Sequence, residues 1–275
     1  MEVLFFIVGS CANHLASLTV EFKFQGYPGN ITTMPKSKRI RFGILTPSSN
    51  TALEPLSQQI VSQLPGVSVH FSRFRVLKIA LDTDALAQFD NTPIIEAARL
   101  LADAKVDVIG WSGTSSGWLG FKADEKLCEE ITAATGIPAT TSVLGLNKLI
   151  KRLDIRYLGL LTPYTTDVQA AIIKTYSRYG VNCSVEKHLG KHDNASYGNI
   201  TEDVLDTCFW ELVERGATAV SVFCTGLNAA QLVDRWEKKS GVVVLDTVAT
   251  VLWDMCAITG VDMKALKGWG SLFSI

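Results

Sequence analysis

Short apolar runs alternate with helical spacings of apolar residues from position 39 to the end of the chain. Ile40–Thr46 is a β-rich run, and Glu54–Leu64 after it has the apolar spacing of a helix. Val106–Trp111 is a second apolar run, typical of a strand that is buried on both faces of a parallel sheet. Asp124–Thr135 has the pattern of an amphipathic helix, and Gly136 is a natural stop for it. This alternation predicts an α/β fold with parallel sheets and right-handed crossovers.

The chain also repeats itself at a nearly constant offset, because three segments of the first half recur in the same order in the second half. The matched pairs are Ile40–Pro47 with Ile155–Pro163, Val106–Thr114 with Ala217–Thr225, and Thr135–Pro138 with Ser240–Val243. Ordered similarity of this kind indicates duplicated structural units. We therefore expect two pseudo-symmetric Rossmann-like (flavodoxin-like) lobes. Since ligands of open parallel sheets bind beyond the carboxyl ends of the strands, we expect an active site between the lobes.

The repeat also suggests where the lobes begin and end. We expect residues 39–152 together with 250–275 to form the first lobe, and residues 153–249 to form the second. The first 33 residues show no clear period, and Met34 looks like a natural start just before the first strand. We therefore expect residues 1–33 to be an N-terminal extension outside the fold, with an organellar or secretory leader as the alternative.

Composition and charge narrow the class of protein. The chain has 275 residues, of which 47% are hydrophobic, so it can bury a sizeable core. Its net charge of −1 creates no field that would recruit nucleic acid or an anionic membrane, and it has no run of about 18 apolar residues that would span a bilayer. Its six cysteines form no CxxC pair and have no His at metal-ligand spacing. We therefore expect a reduced, cytoplasmic protein without a metal site.

Four hydroxyl-rich loops follow predicted strands at equivalent places in the two lobes. They are Thr46–Asn50, Gly113–Ser116, Thr162–Thr166 and Cys224–Gly226. Backbone N–H groups at helix N-termini, together with Ser and Thr hydroxyls, form good anion sites. None of these loops contains Lys or Arg, which favours a carboxylate or an enolate over a phosphate. Helix capping explains any one such loop, but four loops at equivalent strand ends favour a shared anion site.

Cys224 is the cysteine that ends a predicted strand, and Thr225–Gly226 after it is the expected start of a helix. We expect a partly exposed thiol whose thiolate form is favoured by the neighbouring N–H dipoles. Because the ordinary pKa of cysteine is near 8.5, a modest shift would let this thiol act as an acid or a base near neutral pH. The other cysteines are expected to be packing residues. Asp167 and Asp246 are expected to orient or cap the site loops rather than to transfer protons.

From position 39 to the closing Gly268–Phe273, these motifs resemble the aspartate/glutamate racemase superfamily, in particular its branch of arylmalonate decarboxylase and maleate cis–trans isomerase. The resemblance implies two pseudo-symmetric α/β lobes and chemistry without a metal or an organic cofactor. It also implies that the racemases and isomerases of this superfamily carry one cysteine at the equivalent strand end of each lobe. The repeat assigns these two positions to Cys224 and Gly113, so the second thiol is missing here.

A glycine in the first lobe and a lone cysteine in the second is the arrangement of arylmalonate decarboxylase. The resemblance implies that Thr114, Ser115 and Tyr164 bind one carboxylate and then the enediolate that forms as carbon dioxide leaves. It further implies that Cys224 protonates the carbon from one side, which yields a single stereoisomer.

The first loop departs from that pattern. Its Pro47, Ser48 and Asn50 resemble the maleate isomerase relatives, in which the Asn helps to hold a substrate carboxylate. The segment with Thr225 and Gly226 is intermediate between the two groups. The substrate is therefore expected to be smaller or more polar than an arylmalonate.

Three functions remain open, of which the first is a cofactor-independent decarboxylase of a malonate-type dicarboxylate. The second is an Asp/Glu racemase-like or maleate isomerase-like enzyme, in which another group replaces the missing thiol. The third is a diacid-binding protein without turnover. We expect a small dicarboxylate as the partner, no nucleic acid or membrane, and a monomer or small homo-oligomer. If the two lobes correspond, Gly113→Cys should restore two-sided proton exchange.

Overall fold

A computed structural model of the chain describes residues 39–76 and 91–275. The expectations for residues 1–33 lie outside the described residues. The described residues all belong to one unit, Ser37–Ile275. None of the helices in these ranges combines the length and the apolar character that crossing a bilayer requires.

Two four-stranded parallel sheets within the described residues confirm the predicted α/β fold. The first sheet contains β1 (Ile40–Pro47), β2 (Val67–Phe74), β3 (Val108–Trp111) and β4 (Ala139–Thr141), in the order β2-β1-β3-β4. The second contains β5 (Gly159–Thr162), β6 (Glu186–His188), β7 (Ala219–Val222) and β8 (Val243–Asp246), in the order β6-β5-β7-β8. The two sheets therefore share one topology, which begins like the flavodoxin-like order. This shared topology is the structural counterpart of the internal repeat.

The central strands lie where the apolar runs predict them. All residues of β3, β5 and β7 are buried, as expected for strands that are covered on both faces. The run Val106–Trp111 begins two residues before β3, and Val106 is itself buried next to the strand. The strand prediction is thus confirmed with small differences at the ends.

Helices connect the strands and cover the sheets. The α-helices are α1 (Leu53–Val61), α2 (Asn91–Asp103), α3 (Ser116–Leu119), α4 (Phe121–Thr135), α5 (Ser142–Arg152), α6 (Thr166–Arg178), α7 (Glu202–Glu214), α8 (Val233–Ser240) and α9 (Thr247–Thr259). The described residues also form three short 3-10 helices, which span Asn194–Asn199, Ala230–Leu232 and Leu272–Ser274. The predicted helix stop at Gly136 is confirmed, since this residue has a φ of 72° and caps α4 in the left-handed conformation.

Helix α9 follows the last strand of the second sheet and packs against α5, which follows the last strand of the first sheet. The helices approach closely at Gly145, because a Cβ atom there would run into the backbone oxygen of Thr250. Residues Thr247–Cys256 of α9 are all buried, which is expected for a helix that is covered on every side. Although α9 follows a strand of the second sheet, it also packs against β3 of the first. The exact lobe boundaries stay a prediction.

Candidate active site

The loop after β3 and the loop after β5 meet at a hydrogen bond between two hydroxyl groups. Oγ1 of Thr114 lies 2.6 Å from Oη of Tyr164, and both side chains are buried. Thr114 follows a strand of the first sheet, whereas Tyr164 follows a strand of the second. This hydrogen bond therefore connects the two lobes at the carboxyl ends of their central strands.

Asn50 forms a second connection between the lobes. Its Nδ2 donates to the backbone oxygen of Thr225 at 3.0 Å and lies 3.3 Å from the Thr225 hydroxyl. That hydroxyl donates in turn to the backbone oxygen of Ser112 at 3.1 Å. Oδ1 of Asn50 accepts from the N–H groups of Ala52 and Leu53 at 3.0 Å. Both ends of the buried amide are thus occupied by protein groups.

Cys224 lies just beyond β7, and its side chain is buried, with 2% of the residue exposed. Its Sγ accepts a hydrogen bond from the backbone N–H of Gly226 at 3.3 Å, and the nearby Tyr164 hydroxyl lowers the pKa of the thiol. Burial outweighs these contacts and raises the pKa of Cys224 from 9.0 to about 11, because a thiolate is poorly solvated there. The expectation of a partly exposed thiol with a favoured thiolate is wrong. The protonated thiol is instead suited to donate a proton.

The backbone after Cys224 also differs from the expected helix start. Residues 225–229 form turns, and the next helical segment is the 3-10 helix Ala230–Leu232. The thiol therefore faces the turn N–H groups of Gly226 and Leu227 rather than the positive end of a helix dipole. Gly and Asn are residues that favour turns, and Gly226 and Asn228 are the local signals that this segment is a turn.

Tyr164 lies between the thiol and the first lobe. Burial, followed by the negative charge that Cys224 carries once it ionises, holds the pKa of Tyr164 well above its ordinary value. The phenol therefore keeps its proton at neutral pH and can donate a hydrogen bond. Two aromatic rings form T-shaped contacts with the Tyr164 ring, whose centroid lies 5.4 Å from that of Trp118 and 5.9 Å from that of Tyr197. Hydrogen bonds in such apolar surroundings are electrostatically stronger than in water.

The other predicted site residues have different surroundings. Ser115 is buried, and its backbone oxygen accepts hydrogen bonds from the first turn of α3. Pro47 ends β1 and is buried. Ser48 lies on the β2 side, where its N–H donates to Phe74 at 2.8 Å and its Oγ accepts from the Val76 N–H at 3.4 Å. The contacts of Ser48 are therefore with β2 and not with the thiol.

Gly113 lies against the indole of Trp111, which leaves no room for a side chain. Trp111 is itself almost completely buried and packs against Phe74, with the ring centroids 5.0 Å apart. The position that the repeat pairs with Cys224 is thus filled by an aromatic ring from the preceding strand.

The 3-10 helix Asn194–Asn199 contacts the site loops, and the sequence pattern does not predict it. Its first residue donates from Nδ2 to the Ser49 hydroxyl at 2.7 Å. Asn228, which follows the thiol, donates to the backbone oxygen of Gly198 at 2.7 Å. Tyr197 is fully buried beside the Tyr164 ring. An aromatic residue inside a polar Asn-Ser-Gly stretch was the one signal that the sequence contained for this contact.

Asp246 caps a helix, as expected. Its Oδ1 accepts from the N–H groups of Val248 at 2.8 Å and Ala249 at 3.3 Å, at the start of α9. Burial raises the pKa of this carboxyl to about 7, and the two backbone hydrogen bonds oppose that rise. Asp167 is an exposed residue in the first turn of α6, where the nearby Thr165 hydroxyl lowers its pKa.

The remaining cysteines of the described residues lie away from the strand ends. Cys128 and Cys256 lie in α4 and α9, and burial raises the pKa of each to about 12. Cys183 and Cys208 are buried as well. Within residues 39–76 and 91–275, no group of three or more His, Cys, Asp or Glu side chains is placed to hold a metal ion.

Fold and site together define a two-lobed α/β protein with a buried cysteine and a buried hydroxyl pair at the carboxyl ends of its parallel strands. A family model for arylmalonate decarboxylase matches residues 66–273. The chain belongs to the arylmalonate decarboxylase family.

Two curated relatives are enzymes with different activities. The chain is 26% identical to the arylmalonate decarboxylase of Bordetella bronchiseptica over 186 residues, which cover 66% of this chain and 76% of the relative. It is 25% identical to the maleate isomerase of Nocardia farcinica over 241 residues, which cover 84% of this chain and 94% of the relative. These relatives support an enzyme of this family, and they include both a decarboxylase and an isomerase.

Solved structures show the same fold. A maleate cis-trans isomerase from Nocardia farcinica, with a covalently bound succinylcysteine intermediate, matches with a TM-score of 0.76 at 21% identity, covering 85% of this chain and 98% of that one. A liganded variant of arylmalonate decarboxylase matches with a TM-score of 0.74 at 20% identity, covering 85% of this chain and 98% of that one.

Proposed function

We propose that this protein is a cofactor-independent decarboxylase of a small malonate-type dicarboxylate, with Cys224 as the proton donor. The observation that carries the proposal is the asymmetry of the site. A protonated thiol is buried on the second-lobe side, and the indole of Trp111 fills the equivalent place at Gly113 on the first-lobe side. Such a site can deliver a proton to one face of a planar intermediate.

The hydroxyl pair between the lobes is proposed to hold the carboxylate that stays on the substrate. Thr114 and Tyr164 can donate hydrogen bonds, because the phenol remains protonated at neutral pH. Ser115 lies next to this pair in sequence and completes the proposed set. When the other carboxylate leaves as carbon dioxide, the electron pair of the broken C–C bond passes into an enediolate. Donors that already face these oxygens stabilise the growing negative charge.

Cys224 is proposed to complete the reaction. The S–H bond breaks, the proton binds to the α-carbon of the enediolate, and a thiolate remains. The N–H of Gly226 donates a hydrogen bond to the sulfur, and the nearby Tyr164 hydroxyl lowers the pKa of Cys224, so both groups stabilise this thiolate. When the substrate carries two different α-substituents, protonation from one side yields a single stereoisomer of the monoacid product.

A maleate isomerase is the second candidate, and two observations favour it. The match to the maleate isomerase covers 84% of this chain, whereas the match to the decarboxylase covers 66%. Asn50 also belongs to the loop pattern of those relatives. An isomerase that needs two thiols would have to replace the missing one, because the described cysteines other than Cys224 lie away from the strand-end loops.

Incubation with dimethylmalonate, methyl(phenyl)malonate and maleate in deuterated buffer separates the candidates. A decarboxylase releases carbon dioxide and incorporates one deuteron at the α-carbon for each molecule released. An isomerase converts maleate to fumarate without release of carbon dioxide. A binding protein does neither, while the diacid still raises its melting temperature. Fumarate formation without carbon dioxide release from any malonate would refute the proposal.

Two alanine variants connect the activity to the thiol. Cys224→Ala is expected to abolish turnover while the protein remains folded, since only the proton donor is lost. Cys256→Ala is the matched control, because it removes an equally buried thiol from α9. Full activity of Cys224→Ala would exclude this cysteine as the donor.

A further inference from the structure

Two hydrogen bonds of Gln169 close the turn that carries Tyr164. Thr162 is the last residue of β5, and its Oγ1 donates to Oε1 of Gln169 at 2.7 Å. Gln169 lies near the start of α6, and its Nε2 donates to Oε2 of Glu186 on β6 at 3.0 Å. Both Thr162 and Gln169 are buried. These two hydrogen bonds, the glutamine bridge, join the strand before Tyr164 to the helix after it and to the neighbouring strand.

Backbone hydrogen bonds hold the same turn from the side of β6. The N–H of Gly190 donates to the backbone oxygen of Tyr164 at 2.9 Å, and the N–H of Lys191 donates to that of Pro163 at 2.8 Å. Both donors belong to the segment that follows β6, the strand on which Glu186 lies. A shift of β6 relative to α6 would therefore move the backbone of Tyr164.

The partners of the glutamine bridge fix the orientation of its amide. A carboxylate only accepts hydrogen bonds, so Glu186 requires the Nε2 group of Gln169. Nδ1 of His188 lies 2.9 Å from the same carboxylate oxygen. The remaining Oε1 of Gln169 then accepts from the Thr162 hydroxyl. The position thus needs one acceptor and one donor on the same side chain, and an ionised glutamate would supply acceptors alone.

The location of the bridge connects it to the candidate active site. Oη of Tyr164 lies 2.6 Å from Oγ1 of Thr114 in the other lobe. Buried polar networks whose members are all satisfied define a single arrangement, and small displacements of a reacting or binding group can reduce turnover strongly. We infer that Gln169 is a positioning residue, which fixes the turn after β5 so that the Tyr164 hydroxyl faces Thr114 and the substrate carboxylate. This inference rests on the proposed role of Tyr164 as a donor to that carboxylate.

An exchange of the two bridge groups tests this role, with turnover measured at pH 8 on whichever diacid the native protein converts. Gln169→Glu keeps the acceptor for Thr162 but places a second carboxylate against Glu186, so kcat should fall by about tenfold. Glu186→Gln alone keeps an acceptor for the Gln169 amide, so kcat should stay close to its native value. The double variant has the amide and the carboxylate exchanged, so the bridge can form again and most of the lost kcat should return.

The Tyr164→Phe background separates positioning from a general loss of stability. If Gln169 acts through the Tyr164 hydroxyl, Gln169→Glu should lower kcat little further when that hydroxyl is absent. Thr175→Val is the control on the same helix, because this hydroxyl donates to Ala171 of α6 at 3.0 Å, and its kcat should be native. An equal loss from Gln169→Glu in both backgrounds, a native kcat in Gln169→Glu, or a double variant without rescue would overturn the inference.

A measurement without substrate separates this inference from the decarboxylase proposal. Urea unfolding of the native protein, Thr114→Val, Tyr164→Phe and their double variant gives the coupling free energy of the hydroxyl pair. The coupling should be smaller when Gln169→Glu is present and should return when Glu186→Gln is added. An unchanged coupling would overturn the role of Gln169. Failure of the decarboxylase proposal is a different result, because it appears as a native protein that releases no carbon dioxide from any malonate.

Discussion

A Cβ atom on Gly113 would lie 2.6 Å from Cη2 of Trp111 and closer still to the neighbouring ring carbons. The backbone of Gly113 does not have a positive φ, so the indole and not the backbone geometry excludes a side chain. The sequence suggested a vacant position that a cysteine would fill. The structure revises this expectation, because the position is occupied by Trp111.

The first prediction concerns this steric exclusion. Gly113→Ala should destabilise the native protein by about 1–3 kcal/mol, as overpacking of a core usually does. In a Trp111→Leu background the same change should cost little, because the ring is gone. Urea unfolding of the native protein, the two single variants and the double variant measures the coupling free energy between the two positions. An equal cost of Gly113→Ala in both backgrounds would contradict the conflict with Trp111.

A second prediction extends the exclusion to chemistry. Gly113→Cys alone should not introduce exchange of the α-hydrogen of the monoacid product with deuterated water. Gly113→Cys combined with Trp111→Leu should introduce it, because a second thiol then has space on the other face. Proton NMR of the recovered monoacid gives the answer, and Trp111→Leu alone is the control. Exchange by Gly113→Cys alone would mean that the indole moves aside easily.

The third prediction concerns the phenol between the lobes. Tyr164→Phe removes the hydroxyl that bonds to Thr114 and lowers the pKa of the thiol, so kcat should fall by about 10²-fold or more, as when one donor of an oxyanion site is removed. Tyr176→Phe is the control, since its buried hydroxyl has no partner among the described residues. Steady-state kinetics on both variants decide the matter, and equal activities would remove Tyr164 from the proposed mechanism.

The fourth prediction concerns the amide that joins the lobes. Asn50→Asp keeps the acceptor for Ala52 and Leu53 but places an oxygen opposite the Thr225 carbonyl. The loss of a buried donor should cost about 1–3 kcal/mol in the free energy of unfolding. Asn182→Asp is the control, because its exposed side chain also acts as an acceptor, for Ser184. Denaturant unfolding at pH 7 should give a lower midpoint for Asn50→Asp than for Asn182→Asp. Similar midpoints would argue against a stabilising role for the Asn50 hydrogen bonds between the lobes.

The fifth prediction is a pH dependence of stability. Burial raises the pKa of Asp124 from 3.8 to about 6. Below pH 3.8 the carboxyl is protonated in both states. Between these values the unfolded chain loses the proton while the folded protein keeps it, so stability falls as the pH rises through about 6.

Asp124→Asn should remove this loss in the free energy of unfolding, which is on the order of 3 kcal/mol for a pKa shift from 3.8 to about 6. Its melting temperature should therefore fall less between pH 4 and pH 7 than that of the native protein. Calorimetry at both pH values measures the difference. Asp154→Asn, which changes an exposed carboxyl, is the control. Parallel curves for Asp124→Asn and the native protein would contradict the prediction.

The local sequence pattern was sufficient to predict the strands, the helices and the repeated topology of this protein. The strand around Val108–Trp111, the helix stop at Gly136 and the repeat of one topology in two sheets follow from residues that are neighbours in sequence. The position of Cys224 beyond β7 follows in the same way. Backbone propensity and apolar periodicity act over a few residues, so the sequence displays them directly.

Tertiary structure decided the state of the site groups. The pKa of Cys224, the hydrogen bond from Gln169 to Glu186 and the indole beneath Gly113 depend on contacts between segments that are far apart in the chain. The 3-10 helix over the site arises in the same manner, through contacts of Asn194 and Tyr197. Burial sets how much solvation a charge loses and how much space a side chain has. Neither quantity can be read from a strand end, so the sequence determined where the thiol lies, and only the packed fold determined that burial keeps it protonated.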